Sequence, residues 1–205
     1  MLLCDIGNTS YHFHNGIQDF KHQVENFLPE SITQEVFYIS VNHQLKEKLQ
    51  SLKNWINLEP FIDRSLYYET MGIDRIVALQ SVPDGVVVDA GSAITVDVVK
   101  EGVFEGGFIY PGMKAMQECY KNISSALDYS FNFELDLGKM PKNSLDAISY
   151  GYLKPFTDEI KSKKLPIILT GGDASEFKKL LPEAKLDQEL LFKGMKKIMT
   201  KADLC

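Results

Sequence analysis

Apolar and polar positions along the chain predict two successive halves of mixed strand and helix. Residues 2–6 form a short apolar run that is typical of a buried strand, and Tyr11 and Phe13 then alternate with polar residues as in a second strand. Asn15 and Gly16 follow and both tolerate positive φ, which indicates a hairpin turn. The same periodicities predict further strands over residues 35–41, 86–95, 96–99, 103–110 and 166–170, and helices over residues 44–52, 72–82, 113–127, 143–163, 174–181 and 188–201.

A weak internal repeat marks the opening strand of each half. Residues 3–9 and residues 87–93 share an apolar strand, an aspartate, one intervening residue, a glycine and small residues. Turn residues at 83–85 separate the two halves. The pattern therefore predicts an α/β protein with two domains, residues 1–83 and 84–205, which meet around a central cleft.

Composition and charge exclude several classes of function. The 205 residues are 44% hydrophobic and 24% charged, as in an ordinary globular protein, and a net charge of −6 argues against nucleic-acid binding. No apolar run approaches the ~20 residues that span a bilayer, and the first residues lack the basic start of a signal peptide. The spacing of Cys4, Cys119 and Cys205 suits neither a disulfide framework nor a metal cluster. We therefore expect a cytoplasmic protein with reduced thiols and no membrane or nucleic-acid partner.

The residues at the end of the first strand suit a phosphate-binding loop. Gly7 lets backbone N–H groups approach a phosphate closely, and Asn8 and Thr9 add polar side chains. Because a carboxylate repels phosphate, Asp5 would instead hold Mg²⁺. The alternative interpretation is an ordinary β-turn with an Asx hydrogen bond.

The second half repeats this arrangement. Asp89 is the corresponding carboxylate and second metal candidate, and the loop candidates are Gly91, Ser92, Ala93 and Thr95. Two such loops would hold a polyphosphate from both sides, as phosphoryl transfer requires. A second tight turn without a ligand is the alternative.

Gly72-Ile73-Asp74-Arg75 opens the helix that precedes the second half. Asp74 could accept a hydroxyl proton as general base, and Arg75 could bind a substrate carboxylate in bidentate fashion. In the alternative interpretation Asp74 only complements the helix dipole, and Arg75 is a surface charge.

Three other groups have weaker chemical signatures. Thr170-Gly171-Gly172-Asp173 follows a buried strand, and its flat glycine surface suits an adenine, although an ordinary turn with Asp173 as the helix N-cap fits as well. The glycines in residues 106–112 permit close backbone packing. His12 and His14 lie on one face of a strand, but the sequence places no third ligand for zinc beside them.

Taken in order, the motifs resemble the signature series of the type III pantothenate kinases. They are D-x-G-N-T at 5–9, G-x-D-R at 72–75, D-x-G-S-A-x-T at 89–95, G-G-x-I-x-P-G at 106–112 and T-G-G-D at 170–173. The resemblance covers residues 2–173. It implies two ribonuclease-H-like domains of the actin-like ATPase superfamily, assembled as a homodimer. It also implies transfer of the γ-phosphoryl group of ATP to pantothenate, the first step of coenzyme A biosynthesis.

The resemblance further implies a role for each motif residue and the ions that the reaction uses, which are Mg²⁺ and a monovalent cation, K⁺ or NH₄⁺. Ser144, in a segment that matches an Asn-Thr-x-x-Ala motif of the family, would reach the pantothenate of the partner subunit. The remaining implied roles are general base for Asp74; pantothenate contacts for Gly72, Ile73, Arg75 and Tyr68; metal binding for Asp5 and Asp89; phosphate contacts for Gly7, Asn8, Thr9, Gly91, Ser92, Ala93 and Thr95; and adenosine contacts for Gly171, Gly172 and Asp173.

The chain departs from the family pattern at three places. Ser92 and Ser144 stand where threonine is usual, and each keeps the hydroxyl group. The Asn-Pro that precedes G-x-D-R in many members is replaced by residues 67–71, which leaves open which tyrosine lines the pantothenate pocket. Two other functions stay open at this point, a non-catalytic regulator and a kinase of the same superfamily for another hydroxyl substrate.

Overall fold

The computed structural model describes residues 1–204, which form two compact units. Unit 1 contains residues 1–81 and the segment from residue 189 onward, and unit 2 contains residues 82–188. The sequence pattern placed residues 189–205 in the second domain, and the structure differs because the final helix buries its apolar face in unit 1. Cys205, one of the cysteines expected to be reduced, lies outside the described residues.

Unit 1 is built on a five-stranded sheet with the order β3-β2-β1-β4-β5. The strands β1, β4 and β5 are parallel, and β2 and β3 add an antiparallel hairpin beside β1. The elements of unit 1 are β1 (Leu2–Ile6), β2 (Ser10–His14), β3 (Asp19–Gln23), β4 (Val36–Ser40), α1 (Lys46–Ser51), β5 (Trp55–Asn57), α2 (Ile73–Leu79) and α6 (Leu190–Lys201).

Unit 2 repeats this architecture with the strand order β10-β9-β6-β7-β8. The strands β6, β9 and β10 are parallel, and β7 and β8 continue the sheet antiparallel to β6. Its elements are β6 (Gly85–Ala90), β7 (Ala93–Lys100), β8 (Val103–Pro111), α3 (Met113–Ile123), α4 (Ser144–Ser162), β9 (Ile167–Thr170), α5 (Ala174–Leu180) and β10 (Lys185–Leu186).

The two predicted aspartates occupy equivalent positions in the two sheets. Asp5 is the penultimate residue of β1, and Asp89 is the penultimate residue of β6. Both strands are central, with a parallel neighbour on one side and an antiparallel neighbour on the other. The weak repeat in the sequence therefore corresponds to a repeated structure.

Alternation along the central strands explains the cores. In unit 1, Leu2, Cys4 and Ile6 pack on one face of the sheet with Trp55, whereas Leu3 packs on the opposite face. The face of Leu3 is covered by α2 and α6, whose buried members are Ile73, Val77, Phe192, Met195, Ile198 and Met199. In unit 2 the alternate residues of β6 pack against α4 and α5, with Leu153, Phe156 and Phe177 among the buried side chains.

Most predicted elements are present, and three short strands were missed. These are β3, β5 and β10, which have two to five residues each and polar or mixed sequences. A further difference is that β7 already begins at Ala93, so that the predicted strand over residues 86–95 contains a turn at Gly91 and Ser92. Among the described residues, no helix combines the length and apolar character that crossing a membrane requires.

Candidate active site

The loop after β1 exposes the polar groups that the sequence pointed to. Asp5 is half-buried at the end of the strand, and Asn8 and Thr9 are exposed. The Gly7 N–H donates to the Ser10 carbonyl (3.0 Å), which closes the turn. A Cβ on Gly7 would meet only the Ser10 carbonyl, at 3.7 Å, so the turn itself does not demand glycine. The absent side chain instead leaves the backbone of this loop open to a ligand.

Asn42, which the sequence analysis did not single out, supports this loop. Its side chain is buried (7% exposed), and its amide nitrogen lies 3.5 Å from the Asn8 carbonyl. Its side-chain oxygen accepts from the Gln44 N–H (3.0 Å), so the same residue also caps the turn after β4. An Asn two residues past a strand carries little signal in sequence, because the same residue type is common in any turn.

At the start of α2, the carboxylate of Asp74 lies close to the position that a side chain on residue 72 would take. Gly72 is the N-cap residue, and the carboxylate of Asp74 folds back to accept the Arg75 N–H (2.9 Å). A Cβ on Gly72 would lie 2.5 Å from Asp74 Oδ1, so a side chain at position 72 would displace the carboxylate from this place. The glycine therefore makes room for the carboxylate that is the candidate general base.

Arg75 contacts Tyr68, the tyrosine that the sequence analysis named as a pantothenate contact. Its side chain is 7% exposed, which excludes the alternative of a simple surface charge. One guanidinium nitrogen donates to the Tyr68 hydroxyl, and the guanidinium carbon lies 5.6 Å from the centre of the Tyr68 ring. Tyr68 itself is 43% exposed, so its ring joins a buried cation to the surface.

The G-x-D-R motif also borders a cavity of about 370 Å³ in unit 1. The cavity lies beyond the carboxyl ends of β4 and β5, where ligands of α/β sheets commonly bind. Asn42, Gly72 and Ile73 are among the residues that line it. The start of α2 and Asn42, whose amide contacts the loop after β1, thus line the same cavity.

Unit 2 brings the second aspartate loop and the T-G-G-D motif together. Asp89 pairs with Thr170 across the parallel strands, and the Asp173 N–H donates to the Ala90 carbonyl (2.9 Å). Gly171 has φ +91°, and a Cβ there would lie 2.6 Å from the Ala90 carbonyl and also overlap Asp89 Oδ1. The two motifs therefore form one continuous backbone surface, and glycine at position 171 is a requirement of it.

Three of the residues predicted to contact the nucleotide are exposed on this surface. Ser92 and Ala93 are exposed, and nothing lies within 4 Å of the position that a Cβ on Gly172 would take. The Pro-Gly turn after β8 packs against the same loop, since a Cβ on Gly112 would lie 2.6 Å from the Gly91 carbonyl. Asp173 is the N-cap residue of α5, as the alternative interpretation expected, although its side chain makes no capping hydrogen bond.

Ser144 is the first residue of α4 and is exposed. The helix start is fixed by its neighbours, since the Asn143 side chain accepts from the Asp146 N–H (2.9 Å) and donates to its carboxylate (2.7 Å). A second bond from Asn132 (2.9 Å) helps to hold the pKa of Asp146 below its usual value. The hydroxyl of Ser144 is therefore presented on a rigid helix start at the surface of unit 2.

The donor set suits a hard cation held jointly with phosphate rather than a protein-only metal centre. Within residues 1–204 there is no group of three His, Cys, Asp or Glu side chains that could hold a metal ion. Asp5 and Asp89 are single carboxylates beside open backbone, which is the donor set that Mg²⁺ uses when nucleotide phosphates supply further ligands. His12 and His14 instead flank Asp19, at 3.6 and 2.6 Å from its carboxylate.

Comparison with known proteins agrees with the motif series. The type III pantothenate kinase family model matches residues 1–163. A type III pantothenate kinase of Sulfurimonas denitrificans is 62% identical, with full coverage of both chains, and one of Campylobacter jejuni is 42% identical over 97% of this chain and 96% of its own.

Solved structures show the fold. A crystal structure from Campylobacter jejuni, described as a Baf family transcriptional activator, is 41% identical with full coverage of both chains and a TM-score of 0.90. An N-acetylglucosamine kinase from Porphyromonas gingivalis covers 99% of each chain at 10% identity with a TM-score of 0.51, which supports the fold alone. The two five-stranded sheets are thus those of a two-domain actin-like ATPase fold. By family model and by identity over its full length, this chain belongs to the type III pantothenate kinases.

Proposed function

We propose that this protein transfers the γ-phosphoryl group of ATP to the hydroxyl of pantothenate by direct in-line displacement, with Asp74 as general base. ATP-dependent phosphorylation of pantothenate in coenzyme A biosynthesis follows from family membership. The proposal adds the roles of individual residues. The observation that carries it is the carboxylate of Asp74, placed at the start of α2 by Gly72 and beside the buried Arg75.

In the proposed reaction, Asp74 accepts the proton of the pantothenate hydroxyl while that oxygen attacks the γ-phosphorus. The bond from phosphorus to the bridging oxygen breaks, and ADP leaves with the electron pair. Arg75 pairs with the acceptor's carboxylate, and Gly72, Ile73 and Tyr68 complete the acceptor site. In phosphoryl transfer of this kind the protein contributes mainly by positioning the reacting groups and stabilising charge, and it forms no covalent bond to the substrate.

The nucleotide is assigned to the two aspartate loops and the T-G-G-D surface. In unit 1 the candidate phosphate contacts are Gly7, Asn8 and Thr9. In unit 2 the candidate phosphate contacts are residues 91–95, and the candidate adenosine contacts are residues 171–173. Support comes from the open backbone at Gly7 and the continuous surface between Asp89 and Asp173.

Asp5 is the candidate Mg²⁺ ligand, and Asp89 is the candidate for a second cation, either Mg²⁺ or the monovalent K⁺ or NH₄⁺. A bound Mg²⁺ neutralises charge on the transferring phosphoryl group. Both carboxylates lie at the carboxyl ends of central strands, next to the loops assigned to phosphate.

An assay that combines protein, ATP, Mg²⁺, K⁺ and pantothenate and measures phosphopantothenate tests the role of Asp74 as general base. We expect Asp74→Asn to lower kcat by about 10²–10⁴-fold, because the amide cannot accept the proton, while ATP binding stays near the wild-type value. Asp84→Asn is the matched control, since Asp84 accepts a turn hydrogen bond from the Glu101 N–H (2.8 Å) and lies outside every motif.

Two results would contradict the proposal. Wild-type protein that binds ATP but yields no phosphopantothenate would remove pantothenate as the acceptor, and a panel of hydroxyl substrates would then identify another. Full activity in Asp74→Asn would show that Asp74 is not the general base.

The description of the Campylobacter jejuni structure raises a regulatory role as well. A net charge of −6 weighs against direct DNA binding by this chain.

We further propose a homodimer in which Ser144 of each subunit reaches the acceptor site of its partner. Unit 2 exposes apolar side chains that would support association: Ile109 is 63% exposed and Ile123 is 68% exposed. None of the residues of α3 is fully buried, although Met113 and Met116 pack against the core of unit 2. The exposed hydroxyl of Ser144 lies in the same unit.

Mixing two inactive variants tests the shared site. Ser144→Asp places a negative charge against the acceptor, and an acid at a helix start does not destabilise the helix. If the site is shared, mixing this variant with Asp74→Asn recovers roughly a quarter of wild-type activity, because half of the random dimers carry one intact site of two. No recovery after verified subunit exchange would contradict the shared site.

A further inference from the structure

The segment that leads into α2 is irregular. Between β5 and α2 the chain forms two short 3-10 turns, Glu59–Phe61 and Arg64–Leu66, and otherwise has neither strand nor helix. This segment includes Tyr68 and ends at Gly72, so its course determines where the acceptor residues lie. An irregular segment keeps one conformation only if specific contacts hold it.

Arg64 supplies the contacts that hold this segment. One terminal nitrogen of its guanidinium donates to the carbonyls of Met71 (2.8 Å) and Glu69 (3.3 Å). The other donates to the carboxylate of Glu59 (3.0 Å). Arg64 therefore ties two backbone groups immediately before Gly72 to the turn that follows β5.

The geometry of these contacts requires an arginine. The guanidinium is planar and presents several donors in a fixed fork, so one side chain can bind a carboxylate and two carbonyls simultaneously. A lysine ammonium is a compact charge on a flexible stem and would not hold the same three oxygens in place. Arg64 is about one-third exposed (36%), so its ion pair with Glu59 by itself contributes little stability.

The same residues form one wall of the 370 Å³ cavity next to the acceptor motif. Arg64, the segment from Glu69 to Met71, and Gly72 all line it. A shift of this segment would therefore change the cavity wall and the start of α2 together.

We propose that Arg64 is a positioning residue for the acceptor site: it fixes residues 69–72 and thereby sets the place of Gly72 and of the Asp74 carboxylate. This inference rests on the proposed function. It predicts that substitution of Arg64 changes the KM for pantothenate and leaves the KM for ATP unchanged, because the contacts of Arg64 lie beside the proposed pantothenate site.

The test compares Arg64→Ala and Arg64→Lys with Lys48→Ala. Lys48 forms an ion pair of the same length with Glu30 (3.0 Å), is 41% exposed and does not line the cavity, which makes it a matched control. We expect Arg64→Ala to raise the KM for pantothenate roughly tenfold, with the KM for ATP within about twofold of wild type. Arg64→Lys should give an intermediate KM for pantothenate, and Lys48→Ala should leave both values unchanged.

Hydrogen exchange provides a second readout that does not depend on turnover. Faster exchange of the amides of residues 67–72 in Arg64→Ala, with α4 and α6 protected as in wild type, supports the positioning role. If Arg64→Ala does not fold, Arg64→Lys supplies the same comparison of the two KM values. Equal rises in both KM values, or a variant that matches Lys48→Ala in kinetics and exchange, would overturn the inference. A wild-type protein without pantothenate kinase activity would instead overturn the proposed function, and the exchange data would still report whether Arg64 holds the segment.

Discussion

Gly171 and Gly172 are adjacent, but the backbone conformation and the close packing require glycine only at position 171. Gly171 has positive φ and is pressed against the Ala90 carbonyl and the Asp89 carboxylate, whereas a Cβ on Gly172 would meet nothing within 4 Å. Only the first glycine is needed for the fold. The second leaves open surface, which is what the proposed adenosine site requires.

This difference predicts opposite results for two neighbouring substitutions. Gly171→Ala should destabilise the protein by about 2 kcal/mol or more, because alanine is strained at positive φ and its Cβ overlaps the strand end. Gly172→Ala should change the free energy of unfolding by less than about 0.5 kcal/mol. Urea unfolding monitored by circular dichroism measures both. Similar losses for the two variants would contradict the distinction.

At the scale of elements, the packing of α6 against α2 decides whether Asp74 and Arg75 have a rigid support. Gly194 lies in the middle of α6, and a Cβ there would overlap the backbone carbonyl of Val77 and lie 2.8 Å from its carbonyl carbon. The two helices are therefore in backbone contact, which a side chain at this position would prevent. Since α2 begins with the acceptor motif, the glycine in α6 supports the site from a distance in sequence.

Two helical glycines test this contact with opposite expected signs. Gly194→Ala should destabilise the protein by about 1–3 kcal/mol through overpacking, and activity should fall with it. Gly151→Ala, in α4, is the control, because its Cβ would make an ordinary contact of 3.7 Å with the Tyr120 hydroxyl. Replacing that exposed helical glycine should stabilise the protein by up to about 1 kcal/mol. Thermal and urea unfolding measure both changes, and a stabilised Gly194→Ala would contradict the close packing of the helices.

At the scale of the whole molecule, the chain leaves unit 1 at residue 81 and returns to it at residue 189. The returning helix buries Phe192, Met195, Ile198 and Met199 against the first sheet and α2. At about 1.5–3 kcal/mol for each large apolar side chain, their burial is comparable with the whole stability of a domain. Unit 1 therefore depends on the last element of the chain.

Truncation after residue 188 should unfold unit 1 and leave unit 2 intact. Limited proteolysis with mass spectrometry should show new cleavage within residues 1–81, whereas residues 82–188 remain protected. Addition of a peptide with residues 189–205 should restore protection, which would exclude a nonspecific effect of the truncation. A truncated chain whose first unit resists proteolysis as well as the intact protein would show that α6 is dispensable.

Local patterns in the sequence already indicated much of this structure. Strong periodicity predicted β1, β4, β8 and the helices α1 to α6, because their apolar positions are set by contacts along one face. The short strands β3, β5 and β10 were missed, because short polar strands are stabilised by neighbours that the sequence does not reveal.

The candidate site divides in the same way. Motif order was enough to identify the family and to nominate Asp5, Asp74 and Asp89, since each lies at a strand end or helix start that local sequence can signal. The contacts of Arg64, Asn42 and Gly194 could not be predicted, because each is a residue in an unremarkable local setting. The sequence alone thus determined the fold class and the chemical groups, which depend on periodicity and residue type. Only the tertiary structure decided which backbone supports those groups and which unit the last helix completes, because such contacts join residues that are distant along the chain.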